Sequence, residues 1–142
     1  MFTRTASARY EGFGKDGKGH VSTGSGVLAD QPYGFSTRFG DERGTNPEEL
    51  IAAAHAACFT MALSFALAKE GLSGGTLATE AKVKLEKDGD GFKVTRSDLV
   101  LDARVEGIDA ERFSEIAEVA KANCPISKLL NAEITLEHRL NA

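Results

Sequence analysis

From Leu50 to Ala68 the chain carries no charged side chain, and this one segment limits what the rest can fold into. Nineteen residues just reach the length of a membrane span. Eight of them are Ala, however, and His55, Thr60 and Ser64 interrupt the run, so its transfer into lipid gains little. A helix apolar on all sides also serves as the central helix of a soluble domain. Alternating segments flank it on both sides, which favours the soluble reading, with no membrane as partner. Its start is well marked. Asn46 is placed to cap, Pro47 suits the first helical position, and Glu49 stands three residues after Asn46 as in a capping box. The helix is expected to run to about Glu70, where Gly71 supplies a left-handed terminating residue.

Before this helix, the first forty residues are rich in Gly, Ser and Thr, with weak alternation at Ala6, Ala8 and Tyr10 and again from His20 to Thr23. Short strands fit best, with Gly12, Gly14, Gly17 and Gly19 marking a hairpin turn. Tyr33 to Phe39 reads as a third strand, and Asp41 to Gly44 as a loop. Beyond the helix, Thr76 to Lys87 alternates through Leu77, Ala81, Val83 and Leu85, and Asp88-Gly89-Asp90-Gly91 turns the chain back. Phe92 and Val94 share one phase, and Leu99, Leu101, Ala103 and Val105 the other, so a bulge is expected near Arg96 to Asp98. Asp109 caps a second helix with Phe113, Ile116, Ala117 and Ala120 inward. Cys124-Pro125 breaks it, a short helix to Asn131 follows, and a strand with Ile134, Leu136 and Leu140 ends the chain. Strands at both ends, helices between them and no repeated βαβ unit predict an α+β fold in one domain, 1–142, with antiparallel strands.

Composition narrows the function classes. Over 142 residues the net charge is −4 and the pI about 5.4, with Lys and Arg scattered among Asp and Glu. Nucleic acid is thereby disfavoured, since phosphate binding needs a clustered positive footprint. Met1 to Gly12 has no apolar stretch of the signal-peptide kind. Two cysteines are too few for a disulfide scaffold, so a cytoplasmic, reducing location is expected. There, a pair of thiols is either inert core or redox chemistry.

Cys58 lies deep in the long helix, twelve residues past Asn46 and beyond reach of the helix dipole. Read alone, it is a small buried hydrophobe. Reactivity needs a nearby cation to favour the thiolate, and Arg38 and Arg43 are the candidates in the preceding segment. Cys124 precedes a Pro that starts a helix, so unpaired backbone donors are expected to point toward its sulfur. Cys-Pro-x-Ser also occurs in thioltransferases of the thioredoxin fold, where a strand and a long helix flank it near the N-terminus. His55 and Cys58 share a helix face, but zinc needs three or four ligands and two Cys with three His provide no clustered set. His55 reads as a core-edge histidine, and His20 and His138 as strand residues. Gly24-Ser25-Gly26 lacks the rest of a phosphate loop, and no G-x-S-x-G motif is present.

Taken together, Gly24-Ser-Gly-Val-Leu, Gln31-Pro-Tyr-Gly-Phe-Ser-Thr-Arg-Phe, Gly44-Thr-Asn-Pro-Glu-Glu-Leu, Ala53-Ala-His-Ala-Ala-Cys-Phe and Cys124-Pro-Ile-Ser resemble the OsmC branch of the OsmC/Ohr family of organic hydroperoxide reductases. The resemblance covers nearly the whole chain. It implies an intertwined homodimer with active sites at the subunit interface. It further implies a two-cysteine peroxidase that uses no haem, flavin or metal and depends on an external dithiol as reductant. On it, Cys58 is the attacking thiol, Cys124 the resolving thiol, Arg38 the activating guanidinium and Glu48 its carboxylate partner. Phe35, Phe39, Phe59 and Met61 are candidates for an apolar mouth favouring organic hydroperoxides, or else ordinary core.

Two other readings stay open: a thiol-disulfide reductase acting through Cys124, and a non-catalytic stress-related binding dimer. Helix geometry adds one expectation. Glu48 and Cys58 are ten positions apart, about 15 Å along a straight helix. A single Arg38 would struggle to hold both, so Glu48 of one subunit is expected to serve Cys58 of the other.

Overall fold

The computed structural model describes residues 1–142, which divide into two compact units, 1–50 and 51–142. In the first, β1 (Ala6–Glu11), β2 (Lys18–Thr23) and β3 (Gln31–Tyr33) form an antiparallel sheet in that order. The β1–β2 connection reverses through Gly12 and Gly14, both at positive φ. Gly19 is required by close approach, since a Cβ there would lie 2.6 Å from the Tyr33 ring.

The expected third strand is corrected: it stops at Tyr33, and residues Phe35–Phe39 form a short helix, α1. Phe35, Thr37 and Phe39 fit alternation, yet Phe35 and Phe39 also stand four apart, and their ring centroids lie 5.2 Å from each other on the helix. Thr37 closes the turn. Its hydroxyl accepts from the Gly34 N–H at 2.8 Å and donates to the Gly34 carbonyl at 3.0 Å, while Asn46 Nδ2 donates to the Thr37 carbonyl at 3.0 Å. Local side-chain bonds of this kind compete directly with a sheet ladder.

Helix α2 spans Pro47–Lys69. The Asn46 carbonyl oxygen Oδ1 accepts from the Glu49 N–H at 2.8 Å, as capping requires. The capping box is only half formed, because the Glu49 carboxylate accepts from the Thr45 hydroxyl at 2.9 Å. At the far end Gly71 has φ +83, its N–H bonds the Ala68 carbonyl, and the Leu72 N–H bonds that of Leu67. That is a Schellman closure.

In the second unit β4 (Thr76–Asp88) and β5 (Gly91–Arg104) form a long antiparallel hairpin. Lys84 faces Arg96 and Leu85 faces Val94, so the bulged residue is Thr95, one position before the expected stretch. Helices α3 (Ala110–Asn123) and α4 (Pro125–Leu129) lead to β6 (Glu133–Leu140). Contrary to the antiparallel expectation, β6 runs parallel to β5, on the side away from β4. A parallel neighbour needs a crossover connection, and α3 with α4 supplies it. Asp109 caps α3 by accepting from the Arg112 N–H at 2.7 Å.

The core has three sources. Phe59, Leu63 and Leu67 recur every fourth residue on one side of α2; Leu99, Leu101 and Ala103 alternate on β5; Phe113, Ile116, Ala117 and Ala120 line α3. Phe59 is fully buried here, so of the four apolar-mouth candidates it belongs to the core, while Phe35, Phe39 and Met61 are exposed. The α2 segment is long and apolar enough to cross a membrane, with a mean hydropathy of 1.9, yet this inner stripe packs against β5 and α3. Phe59→Ala should therefore cost about 3–5 kcal/mol, whereas Val119→Ala, on the exposed side of α3, should stay within roughly 0.5 kcal/mol. Urea unfolding of both variants checks the contrast.

Candidate active site

Cys58 sits on α2 one turn beyond His55, and Cys124 occupies the break between α3 and α4, with Pro125 as the first residue of α4. Both are free thiols, Cys58 half-buried and Cys124 fully buried. Their sulfurs interact directly, and the Ile126 N–H bears on both. The expectation that backbone donors of α4 face Cys124 is met by the N–H groups of Ile126 and Ser127.

The electrostatics of the two thiols differ. Burial pushes Cys58 up, and its hydrogen bond to Cys124 adds to that, against a smaller opposing effect of the Ile126 N–H. Burial acts upward on Cys124 as well. There it is outweighed by donation from Cys58, by the Ser127 and Ile126 N–H groups and by the Ser127 hydroxyl, which leaves Cys124 lowered. The two sulfurs titrate as a pair, and within these residues the negative charge is better supported on Cys124.

His55 was expected at the core edge and lies instead at its centre, fully buried. Its Nδ1 is 2.7 Å from Ser97 Oγ and its Nε2 2.8 Å from Ser127 Oγ. Burial lowers its pKa, so the ring is neutral at physiological pH. Neither serine was singled out from the sequence as a partner. They stand 42 and 72 positions from His55, and the one available signal was the place of Ser127 in Cys-Pro-Ile-Ser.

In the first unit, Arg38 on α1 grips Glu48 with two bonds: Nε donates to Oε1 at 2.6 Å and Nη2 to Oε2 at 3.2 Å. This two-pronged contact is the geometry that a guanidinium offers a carboxylate. Glu48 stands in the first turn of α2, where negative charge is favoured, and its side chain is only 13% exposed. Arg38, rather than Arg43, is the partner that the structure gives it.

A family model described as OsmC-like protein matches residues 40–139. The chain is 52% identical over 139 residues to the peroxiredoxin OsmC of Escherichia coli, covering 98% of this chain and 97% of that one. It is 34% identical over 123 residues to the organic hydroperoxide resistance protein OhrB of Bacillus subtilis, covering 84% and 88%. The crystal structure of the Bacillus protein superposes with a TM-score of 0.72 at 32% identity, over 97% of this chain and 98% of that one. An organic hydroperoxide resistance protein from Elizabethkingia anophelis superposes with a TM-score of 0.74 at 26% identity, over 99% and 96%. With a family match over most of its length and a half-identical relative end to end, the chain belongs to the OsmC-like family.

Proposed function

We propose that this protein is a thiol-dependent peroxidase that reduces organic hydroperoxides, and hydrogen peroxide less well, to the alcohol or water. The observation that carries the reading is the pair of free sulfurs, Cys58 and Cys124, held against each other in a chain half-identical to a named peroxiredoxin. The Cys58 thiolate attacks one peroxide oxygen, the O–O bond breaks, and the alkoxide leaves as alcohol after taking a proton. Cys58 is left as a sulfenic acid. Cys124 displaces its hydroxyl as water to close a Cys58–Cys124 disulfide, and an external dithiol reduces that bond by exchange. No haem, flavin or metal enters this cycle. The cytoplasm, where dithiol-protein reductants are maintained, is its proposed location.

Burial leaves Cys58 disfavoured as a thiolate, so activation must come from a cation. The role implied for Arg38, oriented by Glu48, meets that need, and the two-pronged bond between them supports it. The chain is proposed to work as a homodimer. Away from its core stripe α2 exposes Met61 and Phe65, and an open groove of about 810 Å³ runs along Ala56, Ala57, Thr60, Met61 and Ser64. A second copy covering α2 would bury this small-residue surface. Glu48 and Cys58 lie ten residues apart on one continuous helix, about 15 Å along its axis. That spacing supports the further proposal that the Arg38–Glu48 pair of one protomer serves Cys58 of the partner subunit.

One observation favours a second reading. Cys124, not Cys58, is the thiol whose ionisation is assisted locally, as a thioltransferase acting through Cys124 would need. Mass measurement after one equivalent of organic hydroperoxide separates them: the peroxidase forms an internal disulfide, whereas the thioltransferase stays reduced. With dithiothreitol as reductant, Cys58→Ser should lose all peroxide turnover, while pre-reduced Cys124→Ser, freed of reductant, should still consume about one equivalent. Full turnover by Cys58→Ser would overturn the assignment.

Arg38→Ala should raise the Cys58 pKa and slow its first oxidation by about two orders of magnitude, the scale of losing one preorganised charge stabiliser. Arg38→Lys should recover little, since an ammonium lacks the planar fork. Thiolate absorbance in a Cys124→Ser background measures the first effect and stopped-flow oxidation the second. For the shared site, heterodimers of Glu48→Ala and Cys58→Ser subunits should stay active, because the intact Cys58 then faces the subunit that retains Glu48. Heterodimers as inactive as the Glu48→Ala homodimer would refute the shared site.

A further inference from the structure

We propose that His55 is a positioning residue for disulfide formation: through Ser127 it presents a hydrogen-bond donor to the Cys124 sulfur and stabilises the thiolate that resolves the oxidised Cys58. This rests on the two-cysteine peroxidase reading above. The starting point is a buried histidine that the mechanism otherwise leaves unused.

The direction of each bond follows from satisfying buried hydrogens. His55 is fully buried and neutral, so one ring nitrogen donates and the other accepts. Ser97 is also fully buried, and His55 Nδ1 is the one partner of its hydroxyl. Were Nδ1 protonated, the Ser97 hydrogen would be left without an acceptor in the core, a costly arrangement. Ser97 therefore donates to Nδ1, and the ring proton sits on Nε2. The Nε2–H then donates to Ser127 Oγ across 2.8 Å, which leaves the Ser127 hydrogen to serve the neighbouring Cys124 sulfur. Aligned donors of this kind polarise one another.

The groups that bear on the Cys124 sulfur are the Cys58 thiol from α2 and the N–H groups and hydroxyl of Ile126 and Ser127 from α4. Behind them stand His55 of α2 and Ser97 of β5, both neutral. No cation is among these groups, so donated hydrogen bonds are what they offer a thiolate there. Once Cys58 becomes a sulfenic acid, its own thiol donation is lost and the Ser127 hydroxyl matters more. In the step itself the Cys124 thiolate attacks the Cys58 sulfur, the S–S bond forms and the S–O bond breaks. Cys124 is oxidised and Cys58 reduced, and the departing hydroxide joins the proton that Cys124 released to make water. His55 gives up no net proton.

The test titrates the lone Cys124 thiol by its thiolate absorbance in a Cys58→Ser background. Ser127→Ala should raise the pH of ionisation by about one unit, tenfold in the ionisation constant, as expected for one hydrogen bond to a charged acceptor. His55→Gln places an amide N–H near the position of Nε2 and should keep the wild-type value. His55→Asn reaches only toward Ser97 and should behave like Ser127→Ala. With Cys58 restored, disulfide closure after one equivalent of hydroperoxide should slow about tenfold in Ser127→Ala and His55→Asn, and the deficit should vanish at pH values where Cys124 is fully ionised. A Cys124 that ionises at the wild-type pH in Ser127→Ala would overturn the proposal, and so would identical behaviour of His55→Gln and His55→Asn. If His55→Asn does not fold, Ser127→Ala and His55→Gln decide it. The titration uses no peroxide, so it judges the relay independently; a wild-type protein that forms no disulfide would count against the peroxidase reading instead.

Discussion

The imidazole of His55 ties three elements together from inside the core. Through Ser97 it holds α2 to β5, and through Ser127 it holds α2 to α4. Each bond is modest in net terms, about 0.5–1.5 kcal/mol, but loss of one partner strands a buried polar atom at a cost of about 1–3 kcal/mol. The arrangement is therefore intolerant of partial change. Because α4 is anchored by Ser127, the break at Cys124 is anchored too, and Cys58, three residues beyond His55 on α2, meets it on the adjoining face. The apolar stripe of Phe59, Leu63 and Leu67 continues the same side of the helix, so packing and the polar bonds hold α2 in one rotation about its axis.

The candidate groups fall in both units. The groups that bear on the Cys124 sulfur are the Cys58 thiol and the Ile126 and Ser127 donors of α4. The guanidinium–carboxylate pair of Arg38 and Glu48 stands in the first unit, where α1 and the start of α2 hold it in a fixed two-pronged geometry. A thiol that burial pushes up, such as Cys58, needs a nearby cation to favour its thiolate.

Much of this was legible from residue order. The ends of α2 were written in Asn46, Pro47 and Gly71, the inward face of α3 in the spacing of Phe113, Ile116, Ala117 and Ala120, and the sharp break at Cys124 in the Pro that follows it. Local signals of this kind reflect interactions within a turn or two, so a linear reading reaches them. The reading of Tyr33 to Phe39 as a strand went astray because Phe35, Thr37 and Phe39 satisfy alternation and helical spacing alike, and Thr37 decides between them through its bonds to Gly34 and Asn46. The motifs around Cys58 and Cys124 point to the family from residue order alone, since several separated segments in the right order seldom coincide.

The sequence by itself determined most of the elements, the caps of α2 and α3, the two thiols and the candidate cations Arg38 and Arg43, because each depends on side chains near in the chain or on motifs that survive as strings. Only the tertiary structure decided that β6 lies parallel to β5 and that His55 is the centre of a buried polar chain. Those outcomes depend on partners 37 to 72 residues apart, such as Asp98 with Thr135 and His55 with Ser127, brought together by burial of a common core. Burial is a property of the whole packed chain, and no local pattern encodes which distant hydroxyl will meet a given ring nitrogen.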